Sequence, residues 1–296
     1  MIRTVLLVVA CILLQACGGY DPVAPERYAQ TDRFAALIRD NIEQDGALAL
    51  VADIDHSRLG HEAGSPMPPA RALIFSDVEM ETALIQRKPL LALELPLRVL
   101  AFESSEGESR VIHNSFDYLV SRYQLEEGEA SGLRRAYEGA VGVALAGLPA
   151  EARASFDSDS MEPDGVITLA SPYSFEETVE RVEAAIDAQD DTQYFGKVDF
   201  RANAKNIGVE LRPSYMILFG APGPGGKAMA GAPTLGLDGF CQKFLIWEDA
   251  SGAVHLSFND LLAVADRQSV DVALALRVIN FRLTSVFEEA LTETDE

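Results

Sequence analysis

The densest group of side chains that could do chemistry lies early in the chain, where two histidines and three carboxylates fall within a short stretch: Asp53, Asp55, His56, His61 and Glu62. Imidazole and carboxylate groups are ligands of transition metals, and they also serve as general acids and bases. Their spacing here matches no established zinc site. The sequence leaves two interpretations open: a metal or acid–base site built on this stretch, or a solvated polar loop.

Asp55 recurs in the second half of the chain as Asp199, and both follow short apolar runs that predict strands. An aspartate directly after a strand also accepts hydrogen bonds from the backbone that follows it, so the recurrence fits a capping role as well. The candidate ligand or metal site consists of Asp55, His56, His61 and Asp199, with the metal itself unknown. No motif calls for an organic cofactor.

A glycine-rich stretch at residues 220–227 is similar to a phosphate-binding loop but departs from it in three ways. Ala221 stands where that loop needs glycine, and Ala228 stands where it needs serine or threonine. Two prolines also remove backbone N–H donors that would hold a phosphate. We therefore predict a flexible loop here, with an anion-binding nest of backbone N–H groups as the alternative.

Nucleophilic catalysis has little support. No G-x-S-x-G sequence is present, and no signature neighbours surround the four histidines, His56, His61, His113 and His255. Cys241 lies in the mostly apolar context of a buried, unreactive thiol. Trp247, with Tyr215 and Phe219, fits either an apolar groove or the core of a two-layer domain.

The N-terminus contains a different kind of site. Arg3 precedes an apolar run at residues 4–14, and Leu14-Gln15-Ala16-Cys17 then resembles the lipobox of bacterial lipoprotein precursors. That resemblance implies removal of residues 1–16 and lipidation of Cys17. The apolar run is shorter than the ~20 residues that span a bilayer, so we expect a lipid anchor instead of a spanning helix. Gly18, in place of aspartate, points to the outer membrane, facing the periplasm.

The charge of the chain limits its partners. The formal net charge is −22, from 46 acidic and 24 basic residues. A surface of this sign repels nucleic acid and anionic lipid headgroups, so we expect no nucleic-acid partner. Cys241 is the one cysteine after Cys17, so no internal disulfide is expected.

The second half of the chain repeats the first at a nearly constant spacing. The matches run in order, from Asp55 with Asp199, through Phe75 with Phe219, to Glu103 with Glu248. An ordered series of this kind indicates a tandem duplication. The predicted segments are a signal at 1–16, a lipidated tether at 17–27, a first repeat at 28–150, an acidic linker at 151–165 and a second repeat at 166–296.

Each copy predicts the same order of elements. A short strand (26–30 and 166–170) precedes a helix, for which Asp32 and the pair Ser174 and Glu177 are the N-terminal signals. Four strands follow in each copy, at 47–54, 71–75, 98–102 and 111–116, and at 194–200, 215–219, 244–247 and 254–258. Helical segments at 133–148 and 270–291 close the copies. This order predicts an α+β fold.

Ile54-Asp55-His56, with Gly64, Pro69 and the strand ending at Phe75, resembles the domain of unknown function 302 family. The second copy matches through Val198-Asp199 and Trp247-Glu248-Asp249, although Phe200 replaces His56. The resemblance implies two tandem copies of a curved, mostly antiparallel sheet with helices packed on one face, a TATA-binding-protein-like arrangement. Members of this family tend to form dimers, which implies an intramolecular pseudo-dimer. The family has no established activity to carry over.

These observations favour a lipid-anchored periplasmic binding or interaction module over an enzyme. The groove between the two copies is the expected ligand site, because pockets favour domain interfaces. Its occupant would be a small molecule or a protein of the envelope. Two alternatives stay open: an enzyme or metal-binding protein that uses the Asp55 and His56 region, and a structural envelope lipoprotein.

Overall fold

The computed structural model describes residues 23–157 and 165–292. The predicted signal, the lipidation site Cys17 and the acidic middle of the predicted linker lie outside these residues. The described chain forms two α+β repeats, each built on one five-stranded sheet.

The first repeat begins with its longest helix and ends in an edge strand. Its elements are α1 (Pro25–Gln44), β1 (Leu48–Asp55), α2 (His56–Glu62), β2 (Ala70–Asp77), α3 (Val78–Arg87), a 3₁₀ turn (Pro89–Glu94), β3 (Leu97–Glu103), β4 (Ser109–Asn114), α4 (Phe116–Tyr123), α5 (Glu127–Ala144), a short 3₁₀ turn (Ala150–Ala152) and β5 (Arg153–Phe156).

The second repeat begins with a strand, as its sequence predicts. Its elements are β6 (Val166–Ser171), α6 (Phe175–Asp187), β7 (Gln193–Asp199), α7 (Phe200–Asn206), β8 (Ser214–Gly220), α8 (Pro222–Met229), a 3₁₀ turn (Pro233–Gly236), β9 (Gln242–Glu248), β10 (Val254–Asn259), α9 (Leu261–Arg267) and α10 (Leu274–Ala290).

The two sheets share one core topology and differ at one edge. The first has the order β1-β2-β3-β4-β5, and the second has the order β7-β8-β9-β10-β6. All pairings are antiparallel except that of β4 with β5. The position beside β4 is therefore held by β5, the strand that closes the first repeat, whereas the position beside its counterpart β10 is held by β6, the strand that opens the second repeat.

The strand predicted at residues 26–30 is wrong, because these residues form the first turns of α1. Pro25 occupies the first turn of this helix, where a missing N–H removes no hydrogen bond. Asp32 consequently lies inside α1 and pairs with Arg58 at 2.8 Å instead of capping the helix. In the second repeat the prediction is confirmed, since the Ser174 hydroxyl accepts the Glu177 N–H at 3.2 Å at the start of α6.

The central strands are buried on both faces. Every residue of β3 is buried, as are most residues of β2 and β8. One face of the first sheet lies under α1, whose buried stripe includes Phe34, Ile38 and Ile42. The opposite face turns toward the other repeat. A strand covered on both sides needs an almost continuous apolar sequence, which β2 and β3 have.

The repeats contact each other through exchanged pairs of equivalent elements. Helix α2 packs on α8, and its counterpart α7 packs on α3, which is the counterpart of α8. The 3₁₀ turn Pro89–Glu94 contacts β9, and the 3₁₀ turn Pro233–Gly236 contacts β3. Exchanged contacts of this kind are the way a two-fold symmetric pair of subunits packs.

The flexible loop predicted at residues 220–227 is wrong, because Gly220 ends β8 and Pro222 begins α8. The glycines permit close packing of α8 on α2. A Cβ atom at Gly60 would lie 2.7 Å from the Ser65 carbonyl oxygen, and one at Gly226 would collide with the same oxygen. The glycine-rich sequence therefore serves the contact between the repeats.

Candidate functional site

The two repeated aspartates cap helices. The Asp55 carboxylate accepts hydrogen bonds from the Arg58 N–H at 2.9 Å and the Ser57 hydroxyl at 2.7 Å, at the start of α2. The Asp199 carboxylate accepts the Ala202 N–H at 2.8 Å, at the start of α7. An N-cap of this type satisfies donors that the first helical turn leaves free. Capping therefore accounts for the recurrence of aspartate after the strand.

His56 lies in the contact between the repeats. Its side chain is buried, and its Nε2 atom is 3.2 Å from the carbonyl oxygen of Gly236 in the second repeat. Burial lowers the pKa of His56 to about 4, so the ring is neutral near pH 7 and donates from Nε2. A Cβ atom at Gly236 would lie 3.0 Å from the ring. His56 joins the repeats and faces away from solvent.

The remaining predicted site residues are not brought together. His61 and Glu62 are exposed at the end of α2, where they border a cavity of about 330 Å³. Asp53 instead accepts hydrogen bonds from Arg71, the closest at 2.6 Å. In the parts of the chain that the structure describes, no three His, Cys, Asp or Glu side chains are placed to hold a metal ion.

A buried cluster of charged and amide groups, which the sequence reasoning missed, lies between the repeats. Each repeat contributes one acid, one base and one asparagine at equivalent positions, together with Arg122 of α4: Glu94, Arg98, Asn114 and Arg122 from the first repeat, and Asp238, Lys243 and Asn259 from the second. The signal in the sequence was a charged residue inside an apolar run, found at the same place in both copies. We call this set the interrepeat cluster.

The hydrogen bonds of the interrepeat cluster cross the boundary. The Asn114 amide donates to Asp238 at 2.9 Å, and Arg122 donates to the Asn259 side-chain oxygen at 2.7 Å. Lys243 lies 3.1 Å from the Asp238 carboxylate, within its own repeat. Arg122 also pairs with Glu94.

Burial and neighbouring charge set the ionisation of this cluster. Burial, with the nearby Arg98, lowers the pKa of Lys243 to about 8. Burial alone would raise the pKa of Asp238, but Lys243 and Arg98 hold it below its usual value. Removing one partner of such a buried pair leaves the other charge uncompensated. The cluster therefore joins the two repeats through buried charges and hydrogen bonds.

A cleft of about 410 Å³ opens where the two repeats meet, near the end of β9. The first repeat lines it with Ile85, Gln86 and Pro89, and the second repeat with residues 210–214, Trp247 and Glu248. We call this space the Trp247 cleft. It joins apolar walls to charged groups at the surface, which is the composition expected of a small-molecule site.

Trp247 is held in a fixed position within this cleft. Its indole N–H donates to the Ser257 hydroxyl at 3.0 Å, and its ring stacks on His255 with centroids 4.8 Å apart. His255 in turn lies 2.9 Å from the Asp249 carboxylate. Of the two interpretations of Trp247, Tyr215 and Phe219, the core is confirmed for Phe219, which packs on Phe244 on the face of the sheet opposite to Trp247. Trp247 lines the cleft without Phe219.

Ser214 gives the cleft an uncommitted polar group. Its side chain is 3% exposed, and its hydroxyl has no hydrogen-bond partner among the described residues. A buried hydroxyl without a partner costs free energy, which a ligand that supplies the missing bond would recover.

Cys241 is a buried free thiol, and burial raises its pKa to about 12. A thiol in this state is protonated and unreactive near pH 7. Within residues 23–157 and 165–292, no helix combines the length and apolarity required to cross a membrane.

Two repeats with exchanged contacts, joined by the buried interrepeat cluster and lining a common cleft, define a tandem α+β protein. The family model of the domain of unknown function DUF302 matches residues 26–141 and 167–288. The chain therefore belongs to the DUF302 family and contains two copies of its domain.

Curated relatives match one part of the chain. Over 123 residues the chain is 38% identical to the fluoride-specific ion channel FluC 1 of Brucella suis, a match that covers 40% of this chain and 48% of that protein. FluC 1 of Brucella abortus matches equally, with 45% of its length covered. The chain spans about half the length of these relatives.

A solved structure of an uncharacterised conserved DUF302 protein from Bacillus stearothermophilus is also similar. It is 13% identical, and the match covers 43% of this chain and 94% of that one, with a TM-score of 0.35.

Proposed function

We propose that this protein is a lipid-anchored binding module of the cell envelope. Lipid on Cys17 would hold it at the outer membrane, facing the periplasm, and its two DUF302 repeats would act together as an intramolecular pseudo-dimer. The ligand would bind in the Trp247 cleft. The observation that carries the proposal is this cleft, because both repeats line it and Ser214 lies in it without a partner.

The walls of the cleft indicate the chemistry of the ligand. Trp247 with Pro89 and Pro213 offers apolar surface for a ring or a short aliphatic body. Arg212 is exposed at the cleft, together with carboxylates of Glu210 and Glu248, so charges of both signs are available. The volume falls within the range of about 300–1,000 Å³ typical of small-molecule sites. These features favour a small polar organic molecule with an apolar body.

The relatives named as fluoride-specific ion channels support a place at a membrane. The shared stretch of 123 residues is about as long as one repeat, which the family model matches over residues 167–288. We infer that the relatives share a DUF302 repeat with this chain. Fluoride conduction is the activity named for those whole proteins, and we do not assign it to this one.

The binding proposal can be tested through Trp247, which is the single tryptophan of the chain. Its emission should change when detergent-solubilised full-length protein is titrated with amino acids, amines and sugars, and one class should bind. Ser214→Ala should weaken that binding about fivefold, the worth of one neutral hydrogen bond. Arg212→Ala should also change the affinity, while Arg201→Ala, an exposed arginine of α7, serves as the matched control.

Native mass spectrometry of the same preparation supplies an independent readout. A bound small mass that is lost in Ser214→Ala would support the cleft. A bare polypeptide, together with unchanged emission for every compound, would refute small-molecule binding and favour a structural envelope protein.

The anchor is tested separately. The mature N-terminal peptide should begin at Cys17 and carry added lipid mass, and Cys17→Ser should release the protein from the membrane fraction. A protein that retains residues 1–16 without lipid would refute the anchor and leave the cleft proposal intact.

A further inference from the structure

A second cavity, of about 350 Å³, lies within the first repeat and away from the Trp247 cleft. It is bordered by α5 on one side and by β4 and β5 on the other. The residues used below are His113, Phe116, Tyr137, Val141, Gly142 and Leu145, all of which line it. We call it the His113 cavity.

The charged groups at the mouth of this cavity already have partners. Arg153 donates to the Leu148 carbonyl oxygen from two nitrogens, at 3.1 and 2.6 Å. Glu138 pairs with Arg134 at 3.2 Å along the same helix. A charged ligand would have to compete with these bonds, so the cavity favours a neutral occupant.

The other polar groups of the lining are also committed. The Tyr137 hydroxyl donates to the Asn114 carbonyl oxygen at 2.9 Å, and the Ser155 hydroxyl donates to Asp157 at 3.1 Å. The Ser115 hydroxyl accepts the Tyr118 N–H at 3.1 Å as the cap of α4.

His113 differs from these groups. Its Nδ1 atom is buried and has no hydrogen-bond partner among the described residues, while the backbone of Ala154 beside the ring offsets part of the effect of burial on its pKa. Burial lowers the pKa of His113, so the ring is neutral near pH 7. A neutral imidazole has one donor and one acceptor nitrogen, and with the proton on Nε2 the Nδ1 atom is an acceptor.

The rest of the wall is apolar. Phe116, Tyr137, Val141 and Leu145 are each less than 10% exposed and present carbon surface to the cavity. At Gly142 a Cβ atom would meet nothing within 4 Å, so the α5 side of the cavity has open space. The combination is an apolar pocket with one uncommitted acceptor.

We propose that the His113 cavity binds a small neutral molecule with an apolar ring and one hydroxyl group, which donates a hydrogen bond to Nδ1 of His113. This site is independent of the Trp247 cleft, since none of its lining residues belongs to the second repeat. In the equivalent strand pairings, Ile112 lies opposite Leu100 of β3 and Ser257 lies opposite Leu245 of β9, so the next residues, His113 and Phe258, hold the same position. The acceptor therefore belongs to the first copy alone.

The test uses the full chain and two probes that differ in one donor, 2-naphthol and 2-methoxynaphthalene. 2-Naphthol should bind about fivefold more tightly than its methyl ether, the worth of one neutral hydrogen bond. Its binding should also shift the ¹⁵N resonance of His113 Nδ1. In His113→Phe, which copies the residue of the second repeat, the two probes should bind equally.

A blocking variant locates the probe. Gly142→Leu should abolish binding of both probes by filling the cavity, and leucine is the better helix former at this site in α5. Gly139→Leu is the matched control, because Gly139 lies in the same helix with equally open space and does not line the cavity. Trp247→Phe should leave binding unchanged.

Equal affinity of the two probes for the unmodified protein would overturn the role of His113. Binding that survives Gly142→Leu, or that is lost in Trp247→Phe, would overturn the location. Absence of binding by either probe would overturn the site as a whole. Loss of binding in Trp247→Phe would place the probe in the Trp247 cleft instead. The other outcomes do not bear on that cleft, whose own test depends on Ser214 and Arg212.

Discussion

Glu103 and Glu248 end equivalent strands, β3 and β9, yet their surroundings differ. Glu103 is buried and receives hydrogen bonds from Arg27 of α1, one of them at 3.1 Å. Glu248 borders the open Trp247 cleft. In the first repeat the chain enters through a helix that starts at Pro25 and reaches this strand end, whereas in the second it enters through strand β6 before its helix begins. The helix through which the chain enters the first repeat thus covers the strand end at Glu103, whereas the equivalent strand end at Glu248 borders the cleft.

The interrepeat cluster, unlike these strand ends, is similar in the two copies. There the two copies contribute the same kinds of group at equivalent positions, an acid, a base and an asparagine. The Asn114–Asp238 and Arg122–Asn259 bonds tie each repeat to the other. The duplicated fold thus retains the centre of its interface in both copies and varies at the rim, where ligands can reach.

The largest effect should come from breaking this centre. Asp238→Asn removes one of the two buried carboxylates that compensate Lys243 and Arg98, and we expect a loss of about 3–5 kcal/mol in the free energy of unfolding. Asp191→Asn, which removes an exposed partner of Arg282, should cost less than about 1 kcal/mol. Urea unfolding measures both losses. Equal losses would show that the interrepeat cluster contributes no more to stability than an exposed ion pair.

Glu81 provides a second comparison of the two repeats, because the second repeat has Gly225 at this position. The carboxyl is buried, and burial raises its pKa to about 8. The folded protein therefore holds a proton that the unfolded chain releases above about pH 4.5, and stability falls as the pH rises from 4.5 to 8. Glu81→Gln should raise stability by roughly 3 kcal/mol at pH 7.

At pH 4 the same substitution should have little effect, because the carboxyl is then protonated in both states. Urea midpoints at pH 4 and pH 7 measure the difference. A variant whose gain does not depend on pH would contradict the assignment of a raised pKa to Glu81.

His56 gives the opposite pH dependence. Burial depresses its pKa to about 4 from 6.5, so the unfolded chain binds the extra proton between these values, and stability rises with pH across the window. The rise should amount to about 3 kcal/mol. His56→Phe copies Phe200 of the second repeat and should remove this contribution. The measurement is the change in the free energy of unfolding between pH 4 and pH 6.5 in His56→Phe, with His61→Phe as the exposed-site control. Equal slopes in the two variants would show that His56 is not the source of the pH dependence.

The smallest effect should come from the rim of the first repeat. Arg27→Ala removes the partner of Glu103. The arginine side chain is 45% exposed, which limits the loss, but the carboxylate left behind is only 9% exposed, so we expect a loss of about 1 kcal/mol. The Trp247 emission should stay unchanged, because the closed strand end of the first repeat is a separate place. A change in that emission would show that the strand end at Glu103 and the Trp247 cleft are conformationally coupled.

Much of the fold could be predicted from local pattern. Nine strand predictions within the two copies, the Ser174 cap and the closing helices correspond to observed elements, because apolar periodicity and caps act over a few residues. The strand at 26–30 failed for a non-local reason. The edge position beside β4, which a strand at 26–30 would need, is occupied by β5, which begins at Arg153.

The residues of the candidate sites also fall into those that local sequence pattern predicts and those that tertiary contacts bring together. The sequence by itself determined the duplication, the α+β class, and the apolar setting that leaves Cys241 buried, since these depend on composition and on periodicity along the chain. Only the tertiary structure decided that His56 bonds Gly236, that Glu94 and Asp238 meet in one cluster, and that Trp247 lines a cleft with Pro89. These groups are far apart in sequence, and packing of one repeat on the other, which follows from the whole buried surface, brings them together.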